Sequence, residues 1–337
     1  MSSHSSKNKK LDFISIGDST LDVFVHVHEA SVNCEIEHGR CQLCFAYGEK
    51  VPVESVTKVP GAGNASNAAV GASRLGLRSA IVSILGQDEV GEEILRHWKK
   101  ERVNTTHVQF DSKHETNYST VLSFKGERTI LVYSHPRVYV LPPLEETRWI
   151  YYTSLGAKHD HLEKQLIRHL RAHPEQKMTF NPGTNHLKLG LKALLPIVKE
   201  TDVFIVNKEE AERLLGQGEE PIPNMLLAFA HLGPEIVVIT DGEHGSYAAD
   251  RRHVWQCPVF DGPVRERTGA GDSYGTAFSV ALLRGMDIPQ AMRWGTANAW
   301  SVVQHVGPQA GLLTEEKMEQ VLKKFKKVQP KLMTNHG

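Results

Sequence analysis

No run of about 18 apolar residues, the length a helix needs to cross a bilayer, occurs in the sequence, so none of it reads as a membrane span. Charge of one sign is not in excess either. Lys plus Arg is 39 and Asp plus Glu is 39, so 39 − 39 leaves a formal net charge of zero. A balanced chain has no broad positive field to hold nucleic acid or an anionic membrane. Cysteine is scarce: four in 337 residues cannot make a disulfide scaffold. The stretch Met1 to Lys10 has no apolar core and reads as a disordered tail, not a secretory signal. The 18 His form no HExxH and no recognisable Ser–His pair, so hydrolase chemistry has no support. These absences point to a cytoplasmic protein that folds on its core alone.

The chain is 40% apolar and 23% charged, an ordinary globular composition. Its length allows one large domain or two smaller ones. Leu11 to Gly17 and Val23 to Val27 read as strands, and the polar segment 28–60 as a small β appendage. From Gly61 onward strands alternate with helices. Expected helices are Ala65–Leu75, Gly91–Arg102, His161–Arg171, Lys208–Leu215, Asp272–Arg284, Ile288–His305 and Glu315–Val328. Expected strands are Ser79–Leu85, Trp149–Thr153, Lys177–Phe180, Asp202–Val206 and Glu235–Thr240, with hairpins at 119–133 and 246–257. Such alternation implies a parallel sheet covered on both faces.

The sharpest segment is Glu266-Arg-Thr-Gly-Ala-Gly-Asp272-Ser-Tyr-Gly275. Gly269 and Gly271 let backbone approach a ligand, and an apolar helix follows at once. Free N–H groups and the dipole at a helix start make an anion site. Asp272 lies in the first turn. Simple capping would place an acid there too, but would not require two preceding glycines. Beside an anion hole, a carboxylate is suited to taking a proton from an attacking hydroxyl.

Three further segments carry polar groups at strand ends or helix starts. In Pro60-Gly-Ala-Gly-Asn-Ala-Ser-Asn67, Gly63, Asn64 and Asn67 precede or open a small-residue helix, and Asn can bond hydroxyls both ways. Asn207-Lys-Glu-Glu210 places Asn and Glu on one helix face, where they could hold water around Mg²⁺. An ordinary Glu-rich helix start accounts for the same pattern. Asp18-Ser-Thr-Leu-Asp22 follows the first strand, where open α/β sheets bind ligands and where plain turns also favour Asp and Ser.

Taken together, these segments resemble the ribokinase-like (PfkB) carbohydrate kinases. Gly63-Asn-Ala-Ser-Asn67-Ala with Arg74-Leu-Gly76 is similar to that family's amino-terminal signature, and Thr268-Gly-Ala-Gly-Asp272-Ser-Tyr to its carboxyl-terminal one. Asn207-Lys-Glu-Glu210 is similar to its Asn-x-x-Glu motif. The resemblance implies a three-layer α/β/α fold with a mostly parallel central sheet and a small β lid. The kinase domain would span 11–330, with lid strands within 23–60 and 116–133, and tails at 1–10 and 331–337. It implies ATP-dependent phosphorylation of a sugar or nucleoside hydroxyl, with Mg²⁺. Asp272 would be the general base, and the N–H groups of Gly269, Ala270 and Gly271 the anion hole. Asp22, Gly63, Asn64 and Asn67 would hold the acceptor. Asn207, Glu210, Thr240, Gly242, Gly245 and Asn298 would serve the nucleotide, Asn207 and Glu210 positioning Mg²⁺ through water. Glu266 and Thr268 sit where some members bind a monovalent cation such as K⁺, although Asp is usual at the first position. A homodimer through the lid is also implied.

Some features depart from the pattern. The first signature reads Ala62-Gly63 where a Gly pair is usual, and Asn64 stands where ribokinases often have Lys. Ribose is therefore not singled out as acceptor. The segment His28–Lys50 is long and holds Cys34, Cys41 and Cys44 with His28 and His38 near. Half of a zinc site is one reading, and reduced, partly buried lid thiols the preferred one. Cys257 reads as structural. Phe45-Ala-Tyr47 could stack on a nucleoside. Arg128, His135 and Arg137 would suit a sugar phosphate if they face the acceptor, and a solvated hairpin surface is the favoured reading. A non-catalytic sugar binder on the same fold is the third alternative, against which Asp272 itself argues.

Overall fold

The computed structural model describes residues 10–35, 40–125, 127–216, 218 and 220–333. Nine strands among them form one sheet. From one edge they run Lys331–Leu332, Val254–Cys257, Ser246–Ala249, Ile236–Thr240, Val203–Asn207, Lys177–Phe180, Thr147–Tyr152, Leu11–Ile16 and Ser79–Val82. The last six are mutually parallel and the first three pair antiparallel.

Successive strand residues face opposite ways, so one sheet feeds two cores. Ile14, Ile150, Tyr152, Phe204 and Val206 point to one face, where helices Asp160–Ala172, Leu191–Val198 and Ile222–Ala230 supply Leu166, Ile197 and Phe229. Phe13, Trp149, Tyr151, Val203 and Ile205 point to the other, against helices Asn64–Arg74, Ala270–Leu283 and Ile288–Val302. Helix Asn64–Arg74 buries every residue from Ala65 to Ala72, and its small side chains permit a close approach. A Cβ on Gly71 would lie 3.1 Å from Thr276 Cγ2 of the neighbouring helix.

A second sheet, ordered Glu127–Tyr133, Tyr118–Phe124, Thr20–Val27 and Val53–Ala62, covers the carboxyl ends of the main strands. Phe24 and Val121 are buried beneath it, whereas Glu127–Tyr133 is exposed along its whole length. Ser31–Glu35 and Arg40–Cys44 form a separate two-stranded ribbon.

Several expectations need correction. Ser79–Leu85 is not one strand: it breaks at Ser83, and Ile84–Gly86 turns away to pair with Gln109–Asp111. Helix Thr184–Leu189 is too short to show a period, and prolines mask Leu191–Val198 and Ile222–Ala230, although Pro221 and Pro223 sit at a helix start, where proline's fixed φ is no obstacle. The terminal segment 331–337 is not all tail, since Lys331–Leu332 extends the main sheet and Met333 N donates to Val254 O at 2.8 Å. Residues 1–9 and 334–337 lie outside the described residues. Cys34 and Cys41 face each other across the ribbon and form a disulfide, so they are neither reduced thiols nor zinc ligands. His38 lies outside the described residues. Phe45 and Tyr47 are exposed, with Tyr47 fully so. Arg137 is buried, donating from Nη1 to Asp111 Oδ2 (2.9 Å) and from Nη2 to Glu115 O, and is a strut rather than a solvated surface.

Candidate active site

Helix Ala270–Leu283 begins immediately after Gly269, which adopts the left-handed conformation at φ 80°. A Cβ there would come within 2.4 Å of Pro308 Cβ, so the turn accepts only glycine. The N–H groups of Gly269, Gly271 and Asp272 have no partner among the described residues. Ala270 N donates weakly to Arg267 O at 3.3 Å, which lessens its part in the expected hole. An exposed set of amides at a helix start is an anion site.

Asp272 is buried in the first turn of that helix. Asn67 Nδ2 donates to its Oδ2 at 2.8 Å, while Oδ1 has no partner among the described residues. Burial pushes its carboxyl up to about 6, against the stabilising Asn67 bond. Asn67 is itself held: Gln309 Nε2 donates to its Oδ1 at 3.0 Å and to Gly61 O at 2.6 Å. Gln309 carried no signal in the sequence, because it reaches this place only through the tertiary fold.

Asp22 lies in strand Thr20–Val27 on the facing sheet. Its Oδ1 is buried without a partner among the described residues, and burial raises its carboxyl to about 6, with the nearby Asp272 charge adding to the effect. Gly63 holds φ 96° at the mouth of helix Asn64–Arg74, where a Cβ would sit 2.9 Å from Asp18 O. Asn64 opens the helix with its side chain unpaired among the described residues. Asp18 is already engaged, accepting from Tyr139 Oη (2.8 Å) and Gly156 N (2.7 Å).

Asn207 and Glu210 form a reciprocal cap at the end of Val203–Asn207. Glu210 N donates to Asn207 Oδ1 (2.8 Å) and Asn207 N to Glu210 Oε2 (3.0 Å). The capping explanation therefore holds, yet Glu210 Oε1 and Asn207 Nδ2 have no partner among the described residues. Burial, with the Asp272 charge nearby, lifts Glu210 to about 6. Asp272 thus lies near both Asp22 and Glu210, and carboxylate oxygens are the donor chemistry that a hard divalent ion takes.

Next to the anion turn lies a cavity of about 480 Å³. Thr240, Gly242 and Gly245 line one side, Ala270 and Gly271 its floor, and Val259, Phe260, Ala299, Trp300 and Val303 an apolar wall. Arg267, unassigned in the sequence, also lines it. Asn298 does not: it is fully buried, donating to Ser273 O (2.8 Å) and accepting from Leu313 N (3.0 Å), so it braces the helices instead.

Glu266 is buried before the anion turn. Its Oε1 accepts from Thr268 Oγ1 (2.8 Å), Arg267 N (3.1 Å) and Thr268 N (3.2 Å), and its Oε2 from Ser123 Oγ (3.4 Å). Arg128 Nη1 stands 4.0 Å away. Both oxygens are engaged and a guanidinium is near, so Glu266 and Thr268 do not fit a monovalent cation. A second polar group, His159, Glu163 and His186, converges across the sheet. It is internally satisfied: Gly183 N donates to His186 Nδ1, which leaves Nε2 protonated toward Tyr152 Oη at 2.9 Å and unavailable to a metal.

A nucleotide-sized cavity, an anion turn and a buried carboxylate at the carboxyl ends of a parallel sheet define a phosphoryl-transfer enzyme of the α/β class. The pfkB family carbohydrate kinase model matches residues 31–315, and the chain belongs to that family of sugar kinases. Among curated relatives, the chain is 27% identical over 282 residues to a nucleoside kinase of Methanocaldococcus jannaschii, covering 82% of this chain and 89% of that one. It is 31% identical over 278 residues to a 5-dehydro-2-deoxygluconokinase of Bacillus thuringiensis (74% and 81%). The fold is that of the ribokinases. The crystal structure of the M. jannaschii nucleoside kinase superposes with a TM-score of 0.75 at 23% identity, covering 94% of this chain and all of that one. Arabidopsis thaliana ribokinase complexed with ribose and ATP gives 0.76 at 18% (94% and 99%).

Proposed function

We propose that the protein transfers the γ-phosphate of ATP to a hydroxyl of a sugar by in-line displacement, with Asp272 as general base. The observation that carries this reading is Asp272 itself: one oxygen is fixed by Asn67, while the other oxygen and the neighbouring N–H groups of the turn have no partner among the described residues. The acceptor oxygen forms a bond to the γ-phosphorus as the bond from phosphorus to the β-phosphate oxygen breaks. The hydroxyl proton passes to Asp272 Oδ1. The N–H groups of Gly269, Gly271 and Asp272 stabilise the charge spreading over the phosphoryl oxygens. The partnerless Asp22 Oδ1, with Asn64, Asn67 and Gly63, orients the acceptor. The adenine lies in the apolar wall of the cavity, with Thr240, Gly242 and Gly245 along the nucleotide. Asn207 and Glu210 would hold Mg²⁺ with its waters, and the ion would neutralise donor phosphate charge. The second sheet acts as the lid that excludes water.

The working location in this reading is the cytoplasm, where ATP is available, although the Cys34–Cys41 bond stands against it, since cytosolic thiols are kept reduced. The working assembly is a homodimer through the lid. The exposed strand Glu127–Tyr133 presents Ile130, Leu131, Val132 and Tyr133 on an open edge.

The test is ATP turnover across a panel of sugars, sugar acids, sugar phosphates and nucleosides. Turnover with a sugar and none with nucleosides supports the reading. Preference for a nucleoside moves the acceptor class, and no turnover with any acceptor favours a binding protein on a kinase fold.

A further inference from the structure

The segment that makes the anion turn and the sheet that covers it are tied through one carboxylate. Glu266 Oε1 fastens its own turn, receiving Thr268 Oγ1 and the N–H groups of Arg267 and Thr268. Its other oxygen accepts from Ser123 Oγ of strand Tyr118–Phe124 at 3.4 Å, and Arg128 Nη1 of strand Glu127–Tyr133 stands 4.0 Å from Oε1 itself. Glu266 is buried, while Arg128 keeps about a third of its side chain exposed (35%). A buried carboxylate facing a half-covered arginine draws the two elements together, because an unpaired charge there carries a large desolvation cost.

Arg265 N and Glu266 N both donate to Val303 O, at 2.7 and 3.1 Å, which anchors the same loop to the wall of the nucleotide cavity. The loop therefore has a fixed end at Val303, a pivot at Glu266 and a working end at Gly269–Asp272. Moving the covering sheet away removes Ser123 and Arg128 from the pivot but leaves the contacts within the turn. The loop is then held by the contacts within the turn and by the Val303 anchor, without the second sheet.

We propose that Arg128 and Glu266 form a charge latch that couples lid closure to the shape of the anion turn, the lid arginine supplying the positive charge that the family resemblance assigned to a monovalent cation. The latch rests on the kinase reading given above. Arg128 and Glu266 are positioning residues: neither is placed against the reacting atoms. With the lid open the turn relaxes, and ATP is not committed to transfer. With the lid closed over acceptor and donor, the arginine tightens the turn at the moment it must carry charge.

The experiment uses the full chain and the variants Arg128→Ala, Arg128→Lys, Glu266→Gln and the double variant Arg128→Ala/Glu266→Gln. Gln keeps an acceptor oxygen for Thr268 while removing the attraction to Arg128. Coupling between sites commonly amounts to about 5- to 150-fold, and the latch predicts a loss of kcat in that range for either single variant. The double variant should lose no more than the worse single one, and Arg128→Lys should recover most of the rate. Added KCl should leave wild-type kcat within about twofold. Additive losses, or strong activation of the wild type by KCl, would overturn the latch.

A second readout is independent of activity and of the acceptor. Hydrogen exchange of the unliganded protein should rise in Arg128→Ala both at 118–133 and at 266–272. A rise confined to 118–133 would also overturn the latch, even if the kinase reading stands. If no acceptor is ever phosphorylated but exchange rises at both places, the coupling stands and the kinase reading falls.

Discussion

Asn67 Nδ2 lies 2.8 Å from Asp272 Oδ2, which joins the start of one small-residue helix to the start of another across the candidate site. This bond favours the charged carboxylate, whereas burial disfavours it and wins, leaving Asp272 near 6. A general base must be deprotonated, so kcat/KM should fall on the acid side of about pH 6. Asn67→Leu removes the stabilising donor and should move that acid limb to higher pH, with lower activity at every pH. A limb unmoved by Asn67→Leu would detach the limb from Asp272.

Asp272→Asn should have opposite effects on rate and stability. Loss of a general base costs about 10² to 10⁴-fold in turnover. The folded carboxyl sits near 6 against an ordinary 3.8, so the ionised form weakens the fold above about pH 6, and that cost vanishes below about pH 4. Asn carries no charge. The variant should therefore melt higher than the wild type at pH 7.5, by up to about 3 kcal/mol of stability, with the gap closing as the pH falls toward 4. Thermal melts of the unliganded proteins at both pH values would show it. An equal gap at both would point to packing instead of charge.

Gly269 and Gly271 stand two residues apart but should respond differently to alanine. At Gly269 a side chain meets Pro308 at 2.4 Å and φ is 80°, so Gly269→Ala should lower stability by about 1–3 kcal/mol or more and distort the anion turn. At Gly271 nothing lies within 4 Å of the added Cβ, and the position lines the cavity. Gly271→Ala should fold normally and raise KM for ATP, leaving KM for the acceptor within about twofold. Denaturant melts and two-substrate kinetics separate the cases. Equal stability losses would remove the distinction.

What could be read in the sequence was local. The anion turn and its helix were legible because Gly269, Gly271, Asp272 and an apolar run follow one another directly between Gly269 and Leu283, and chemistry and helix period agree there. Helix Leu191–Val198 was not, because Pro196 falls inside it and the pattern reads as broken. The partners that set the site's geometry were not legible either. Gln309 meets Asn67 across a separation of 242 residues, and Arg128 meets Glu266 only because the second sheet folds over the main one. Arg137 misled for a related reason: its burial is created by Asp111, which arrives from the short strand Gln109–Asp111.

The ribbon chemistry can be read by counting thiols. Cys34 and Cys41 are bonded, Cys44 is half-buried and Cys257 is buried. Only a thiolate reacts quickly, and burial raises the Cys257 thiol above its ordinary value, so Cys257 should be silent in the native state. Protein prepared without reductant should show one reactive thiol, two after unfolding, and four after reduction and unfolding. Zinc by elemental analysis should be substoichiometric, since two of the three ribbon cysteines are consumed by the bond. Three fast thiols in the unreduced native protein would mean the bond does not form. Three slow ones that are released together with one zinc would restore the metal site that the sequence suggested.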